Sequence, residues 1–281
     1  MHVRPLTQED VAAADDVARD ALHRPDPGAD LAAVARGGRR RIAHLQQTDP
    51  DGCFVAEGDA GQVVGVSISL IREGVWGYSL FAVSEHVHGR GLGRALFDAA
   101  WDYGRAAGAH IILSSAHPAA MRLYGLTGLP LLPCVAAAGI ADLSRAPDLA
   151  RVRDAGSAEL GLVDELGREL RGAAHGVDLP VLLEVGTRLV VVEDRAFAFF
   201  RGTRLILAGG RDDQSAALAL WGAFARMGRG ATVTVDFLTA GQDWAVQACL
   251  TAGLALSPDG PMFAGGELGP MRPYLPSGAY L

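Results

Sequence analysis

"HGRGLGRALFDAAWDYG", residues 88–104, sets Gly89, Gly91 and Gly93 at alternate positions and then reads as an amphipathic helix to about Ala107. Glycine at such spacing suits a backbone that another group must approach closely, because no Cβ stands in the way. Three readings compete. The first is a turn and helix start with no ligand. The second is a dinucleotide-binding turn, but that pattern needs glycine where Arg94 stands, and the next strand, "HIILSS", ends in serine where an acidic residue should meet the ribose. The third is a diphosphate cradle, in which successive backbone N–H groups and the positive end of the helix dipole surround an anion. The residues alone exclude the second reading and leave the first and third open.

Outward from this loop, "WGYSLFAV" is a strand leading into it, and "CFVAEGDAGQVVGVSISLI" is a hairpin of two apolar runs joined at Gly-Asp-Ala-Gly. Downstream come the strand "HIILSS" and a helix over 118–127. The chain opens with a short strand, Thr7 as an N-cap followed by acidic residues, and an amphipathic helix. Helices alternating with mostly antiparallel strands predict an α/β (α+β) fold: a mixed, mostly antiparallel central sheet flanked by helices.

The pattern recurs. Sliding the chain by about 122 residues lays Leu96 on Leu218, Gly108 on Gly230 and "AHIIL" on "ATVTV". A three-residue insertion then brings "AAMRLYGLTGL" onto "WAVQACLTAGL". The second copy opens at "ARVRDAGSAELGLVDELGREL", with Ser157 at the capping place. Pro147, in "LSRAPDLAR", interrupts two regular segments and marks the joint. Two domains are expected, 1–145 and 150–281.

At 281 residues, each half is long enough to bury a core of its own. The net charge is −7 and every basic residue besides histidine is arginine, which excludes lysine Schiff-base chemistry and the usual phosphate-loop lysine. An acidic chain without a basic face argues against a nucleic-acid partner. Cys53, Cys134 and Cys249 are too few and too widely spaced for a disulfide framework or a cysteine zinc site. His86 and His88 have no third ligand at recognisable spacing, so no metal is expected. No apolar run approaches the ~20 residues that span a bilayer and no basic-then-apolar leader opens the chain, so a soluble, cytoplasmic protein without a membrane partner is expected, and the Ala, Arg and Gly bias suggests a bacterial source.

The order strand, V-x-x-x-x-[R/Q]-G-x-G-x-[G/A], helix, strand, N-x-x-A-x-x-x-Y, Gly-Phe is that of the GNAT superfamily of acetyl-CoA-dependent N-acetyltransferases, which the first copy resembles throughout. Val83 matches the strand-end valine, Gly89, Gly91 and Gly93 the loop glycines, and Ala120, Tyr124 and Gly128 the later helix, tyrosine and glycine. His88 stands for the usual arginine or glutamine, Glu85 for a frequent proline, His117 for asparagine and Leu129 for phenylalanine. A backbone cradle does not depend on those side chains.

The resemblance implies acetyl-CoA as co-substrate, held by Phe81, Ala82, Val83, His88, Gly89, Arg90, Gly91, Leu92, Gly93, Arg94, His117, Ala120 and Tyr124. It implies direct attack by the amine of a small molecule or peptide in a ternary complex. A backbone N–H near Val83 would polarise the thioester carbonyl, and Tyr124 would protonate the departing thiolate. Glu85, His86, His88, His117 or a water chain could take the proton of the amine, with Glu85 the catalytic candidate. Trp76 and Tyr78 suit either an acceptor groove or the core. In the second copy Asp213 and Ser215 align with Gly91 and Gly93, and Cys249 with Tyr124; carboxylates there cap a helix but repel an anion. That copy is therefore expected to be degenerate, a structural part or a wall of the acceptor cleft, as in tandem acetyltransferases such as mycothiol synthase. Assembly as a monomer or homodimer is open. The rival reading is a catalytically silent acyl-CoA-binding or partner-binding module.

Overall fold

A computed structural model describes residues 1–22 and 30–281. They form two mostly antiparallel sheets flanked by helices, the class expected from the alternation of elements. The chain divides into two compact units, one of Met1–Ile71 with Trp76–Gly108, the other of Arg72–Val75 with Ala109–Leu281. Residues 109–145 of the first sequence copy thus belong to the same compact unit as the second copy.

The first unit holds β1 (His2–Pro5), α1 (Val11–Leu22), α2 (Leu31–Thr48), β2 (Cys53–Glu57), β3 (Val63–Arg72), β4 (Val75–Val83) and α3 (Leu92–Gly104), with the strands in the order β1-β2-β3-β4. The start follows the sequence expectation. Asp10 Oδ2 accepts from both the N–H and the hydroxyl of Thr7 at 2.8 Å, closing a 3-10 turn that leads into α1. Arg4 grips the same carboxylate at 2.7 and 2.9 Å, and chiefly through these bonds the Asp10 carboxyl falls to about 2. β2 and β3 form the expected hairpin, in register from Cys53↔Ile68 to Glu57↔Val63. Under it Leu92 and Leu96 of α3 pack with Ala56, Val64 and Val87.

The second unit continues with β5 (Ala109–Leu113), α4 (Pro118–Gly125), β6 (Leu131–Leu132), β7 (Cys134–Ile140), β8 (Val152–Ala155), α5 (Leu160–Arg171), α6 (Asp178–Glu184), β9 (Arg188–Val192), β10 (Ala196–Arg201), β11 (Arg204–Gly210), α7 (Asp213–Met227), β12 (Thr232–Thr239), α8 (Asp243–Thr251), β13 (Ala255–Pro258), β14 (Met262–Gly266) and β15 (Tyr274–Leu275). α7, β12 and α8 fall where the repeat places them. β9 and β10 read as unbroken apolar runs, and their buried Val190, Val191, Phe197, Phe199 and Phe200 account for it.

Two strands change sides. β7 lies between β12 and β13, and β14 lies between β5 and β6, so each sequence copy gives a late strand to the other. The exchange follows from the short β6–β7 connection, which carries the chain from the β14 edge directly onto β12. A further break lies at β11, whose parallel pairing with β12 among the described residues is at Arg204↔Thr234. β10 occupies one edge of β11 as far as Ala196↔Gly210, so β15, paired at Ala208↔Leu275 and Gly209↔Tyr274, sits on the edge from which β12 has diverged. Gly210 N–H also donates to Pro273 O at 3.2 Å.

Candidate active site

A strand sends alternate side chains to alternate faces, yet β4 breaks that rule just before the glycine loop. Trp76 and Tyr78 meet the α3 rings Trp101 and Phe97 at centroid distances of 5.3 and 5.4 Å. Phe81 and Val83 also face α3, their atoms 3.4 and 3.8 Å from where a Gly93 Cβ would lie. Even-numbered and then odd-numbered residues on one face require a one-residue slip between Tyr78 and Phe81, the signature of a bulge. Arg41 of α2 is anchored at this slip: Nη2 donates to Ser79 Oγ at 2.8 Å and also to Ser79 O, and Nε donates to Ser79 Oγ at 3.2 Å. Trp76 and Tyr78, left between groove and core by the sequence, are buried in an aromatic cluster, with Tyr78 Oη 2.9 Å from Ser67 Oγ.

Beyond Val83 the chain makes a short 3-10 turn, Glu85–Val87, before α3. Val87 is buried beneath it while Glu85 and His86 face solvent. The His88 Nε2 lies 2.9 Å from Val83 O, tying the far side of the turn to the end of the strand. Gly89 and Gly91 have φ of +77° and +80°, a left-handed conformation in which a side chain is strained, and a Cβ on either would meet nothing within 4 Å. Gly91 is the N-cap of α3, with no side chain capping the helix. The first helical hydrogen bond there runs from Ala95 N–H to Gly91 O, which leaves the N–H groups of Leu92, Gly93 and Arg94 beyond the reach of the helix's own carbonyls. Arg90 is exposed and makes no ion pair among the described residues, whereas Arg94 is held by Asp98 at 3.0 Å. Successive N–H donors without helical partners, open space where a Cβ would point, a positive helix end and the guanidinium of Arg90 fit the diphosphate of a coenzyme A thioester. Phe81, Ala82, Val83 and His88 to Arg94 are thus brought together in one unit.

His117, Ala120 and Tyr124 share α4, in the other unit. His117 is the N-cap and Pro118 takes the first helical position, where its missing N–H costs nothing. Ala120 is half-buried and Tyr124 is 4 % exposed. Burial pushes the Tyr124 phenol well above the ordinary tyrosine value, so it stays protonated at alkaline pH. Its ring packs edge to face on Phe263 of β14, centroids 5.9 Å apart. Neither Arg41 nor Phe263 was singled out by sequence, since both act through partners distant in the chain.

The second copy differs at both corresponding places. β11 passes to α7 through residues 211–212 alone, and the N-cap is Asp212, the positional counterpart of Gly91. The Asp212 carboxylate accepts from Ser215 N–H at 2.8 Å and is paired with Arg195 at 2.7 Å, so the helix end is already satisfied by an internal anion. Cys249 is fully buried, its thiol pushed up to about 12 by burial. No cluster of three or more His, Cys, Asp or Glu suited to a metal occurs among the described residues, and no described helix is long and apolar enough to cross a membrane.

Residues 20–128 match the family model described as the acetyltransferase (GNAT) family. No curated protein sequence is significantly similar to the chain. Among solved structures, a protein from Pyrococcus horikoshii assigned as an acetyltransferase superimposes with a TM-score of 0.80 at 17% identity, covering 99% of this chain and 94% of its own. A tandem GNAT protein from the clavulanic acid biosynthesis pathway gives 0.60 at 14% identity, with 94% and 98% covered. A GCN5-related N-acetyltransferase from Sphaerobacter thermophilus gives 0.56 at 14% identity, with 99% and 98% covered. At these identities the likeness is one of fold.

Proposed function

We propose that this chain, whose residues 20–128 match the acetyltransferase (GNAT) family model, moves an acetyl group from acetyl-CoA to the amine of a small molecule or peptide. The observation that carries the reading is the uncapped N-terminus of α3 beneath Gly89 and Gly91. In this reading the N–H groups of Leu92, Gly93 and Arg94 hold the diphosphate, with Arg90 adding charge, and the Phe81, Ala82 and Val83 backbone aligns the rest of the coenzyme. His88 shapes the loop through Val83 O, and His117 and Ala120 are the α4 positions that the family resemblance assigns to the coenzyme. Acetyl-CoA supplies an activated acetyl group as its thioester.

The residues then divide the proton work. Glu85, exposed on the turn after β4, accepts a proton from the amine. The Val83 N–H polarises the acyl carbonyl. Tyr124 returns a proton to the sulfur as the carbon–sulfur bond breaks, so the products are an amide and a thiol.

The first copy, residues 1–145, carries the chemistry, and residues 150–281 supply strands and a cleft wall. Support for a silent second copy comes from Asp212, which caps α7, and from β15, which runs along β11 where β12 has diverged. Calorimetric titration with acetyl-CoA tests the reading without an acceptor. One site per chain is expected; two would refute the silent second copy, and none would remove the cradle. Thiol release across a panel of amines then separates an enzyme from a silent acyl-CoA-binding module. Tyr124→Phe should leave binding intact and slow that release by about a hundredfold, the low end for a general acid.

A further inference from the structure

β14 belongs to the second sequence copy, yet it runs between β5 and β6 of the first. Its register is set closely: Phe263 stands opposite Ile112 on one side and Leu131 on the other, Ser114 N–H donates to Pro261 O at 3.0 Å, and Ala264 N–H to Pro130 O at 3.2 Å. Gly260 fixes the approach, since a Cβ there would fall 1.9 Å from Ser114 O. These contacts deliver the fully buried ring of Phe263 beneath α4. There it meets Tyr124 with 76° between the ring planes, and its Cε1 lies 3.8 Å from where a Gly125 Cβ would be.

We propose that Phe263 is a positioning residue for Tyr124: the second copy, through β14, holds the phenol in one orientation and keeps water from its ring. The proposal rests on the reading of Tyr124 as the acid that protonates the thiol. An edge-to-face pair restricts both tilt and translation of the tyrosine ring, which an aliphatic contact of similar area does not. A ring free to tilt delivers its proton less often in line with the sulfur, so turnover falls while cofactor binding, carried by backbone elsewhere, does not. The strand exchange then has a catalytic purpose besides a structural one.

The test compares wild type, Phe263→Leu and Tyr124→Phe in the full-length chain, labelled at tyrosine Cζ with carbon-13. The chain has five tyrosines, and the signal missing from Tyr124→Phe assigns Tyr124. Thiol release uses acetyl-CoA with the fastest amine of the panel, and acetyl-CoA affinity is read by calorimetry. Expected for Phe263→Leu is turnover reduced about tenfold, affinity unchanged within about twofold, and a Tyr124 signal that begins to titrate at lower pH than in wild type. Unchanged turnover and titration in Phe263→Leu, with Tyr124→Phe slow, overturns the positioning role and leaves the acid in place. Full turnover in Tyr124→Phe overturns the acid, and the positioning role with it. Should Phe263→Leu not fold, Phe263→Met, whose flexible side chain fills the ring's volume without its edge, takes its place with the same outcomes.

Discussion

Replacing Gly91 separates the conformational role of the cradle from its ligand role. At φ +80° an alanine is strained by roughly 1–2 kcal/mol, and with nothing within 4 Å of its Cβ it adds no clash. Gly61, in the β2–β3 turn, has φ +81° and equally open surroundings, so Gly61→Ala is a matched control. Both alanine variants should melt a few degrees below wild type, at about 2–4 °C per kcal/mol for a chain of this size. Their acetyl-CoA affinities should diverge, because only Gly91 is the N-cap of α3, next in the chain to the N–H groups that lack helical partners. Gly91→Glu adds a negative charge at the same point. Opposed to one phosphate charge at 4 Å and an effective dielectric near 20, it costs about 4 kcal/mol, close to a thousandfold in Kd. Calorimetry on the folded variants reads this directly. Wild-type affinity in Gly91→Glu, or equal losses at Gly61 and Gly91, would refute the cradle.

The buried pair Arg72–Asp178, bidentate at 2.7 and 2.8 Å, should make Asp178→Ala unstable by about 3–5 kcal/mol in urea titration, with Arg72→Met/Asp178→Leu recovering much of the loss. His175 is fully buried with its Nε2 2.9 Å from Tyr274 Oη, and burial, reinforced by Arg171, holds its affinity for protons well below the ordinary value. The unfolded chain therefore binds a proton near pH 6.5 that the folded one does not, so the stability this residue confers is complete above pH 6.5 and declines below it, by at most about 1.4 kcal/mol per pH unit. Comparing wild type with His175→Gln at pH 7.5 and 5.0 checks the sign, and an advantage of the wild type that grows on acidification would contradict it. A chain ending at residue 145 lacks β14 between β5 and β6 and the β12 partner of β7; it should be insoluble or lack a cooperative melt, and a sharp transition in calorimetry would argue otherwise.

Local features were legible in the sequence because their causes are local. Thr7 with Asp10, the Gly-Asp-Ala-Gly hairpin and the alternate glycines ahead of α3 each carry their own turn or cap chemistry. The repeat offset placed α7, β12 and α8 because helix faces and apolar strands keep their spacing after duplication. What the sequence hid is partner choice. "CVAAAGI" and "MFAGG" look the same whether they pair within their own copy or across it, since a strand's pattern records which face is buried and not which neighbour covers its edge. The slip in β4 was masked for a related reason: nearly every residue of "VWGYSLFAV" is buried, so no polar face marks the shift of parity. The one-residue offset between Asp212, the N-cap of α7, and the aligned Asp213 is a detail that a constant shift passes over.

The exchange of β7 and β14 also bears on how such a chain can change over generations. A duplicated domain is ordinarily free to lose its spare copy outright. Here each copy owns a strand the other's sheet requires, so a deletion that removes either half also dismantles the sheet of the other. Substitutions in the connection ahead of α7 escape that constraint, and Asp212 stands at one such position. Drift can therefore rewrite the connections of one copy residue by residue while its backbone stays under selection, which makes the joining of the two copies hard to reverse.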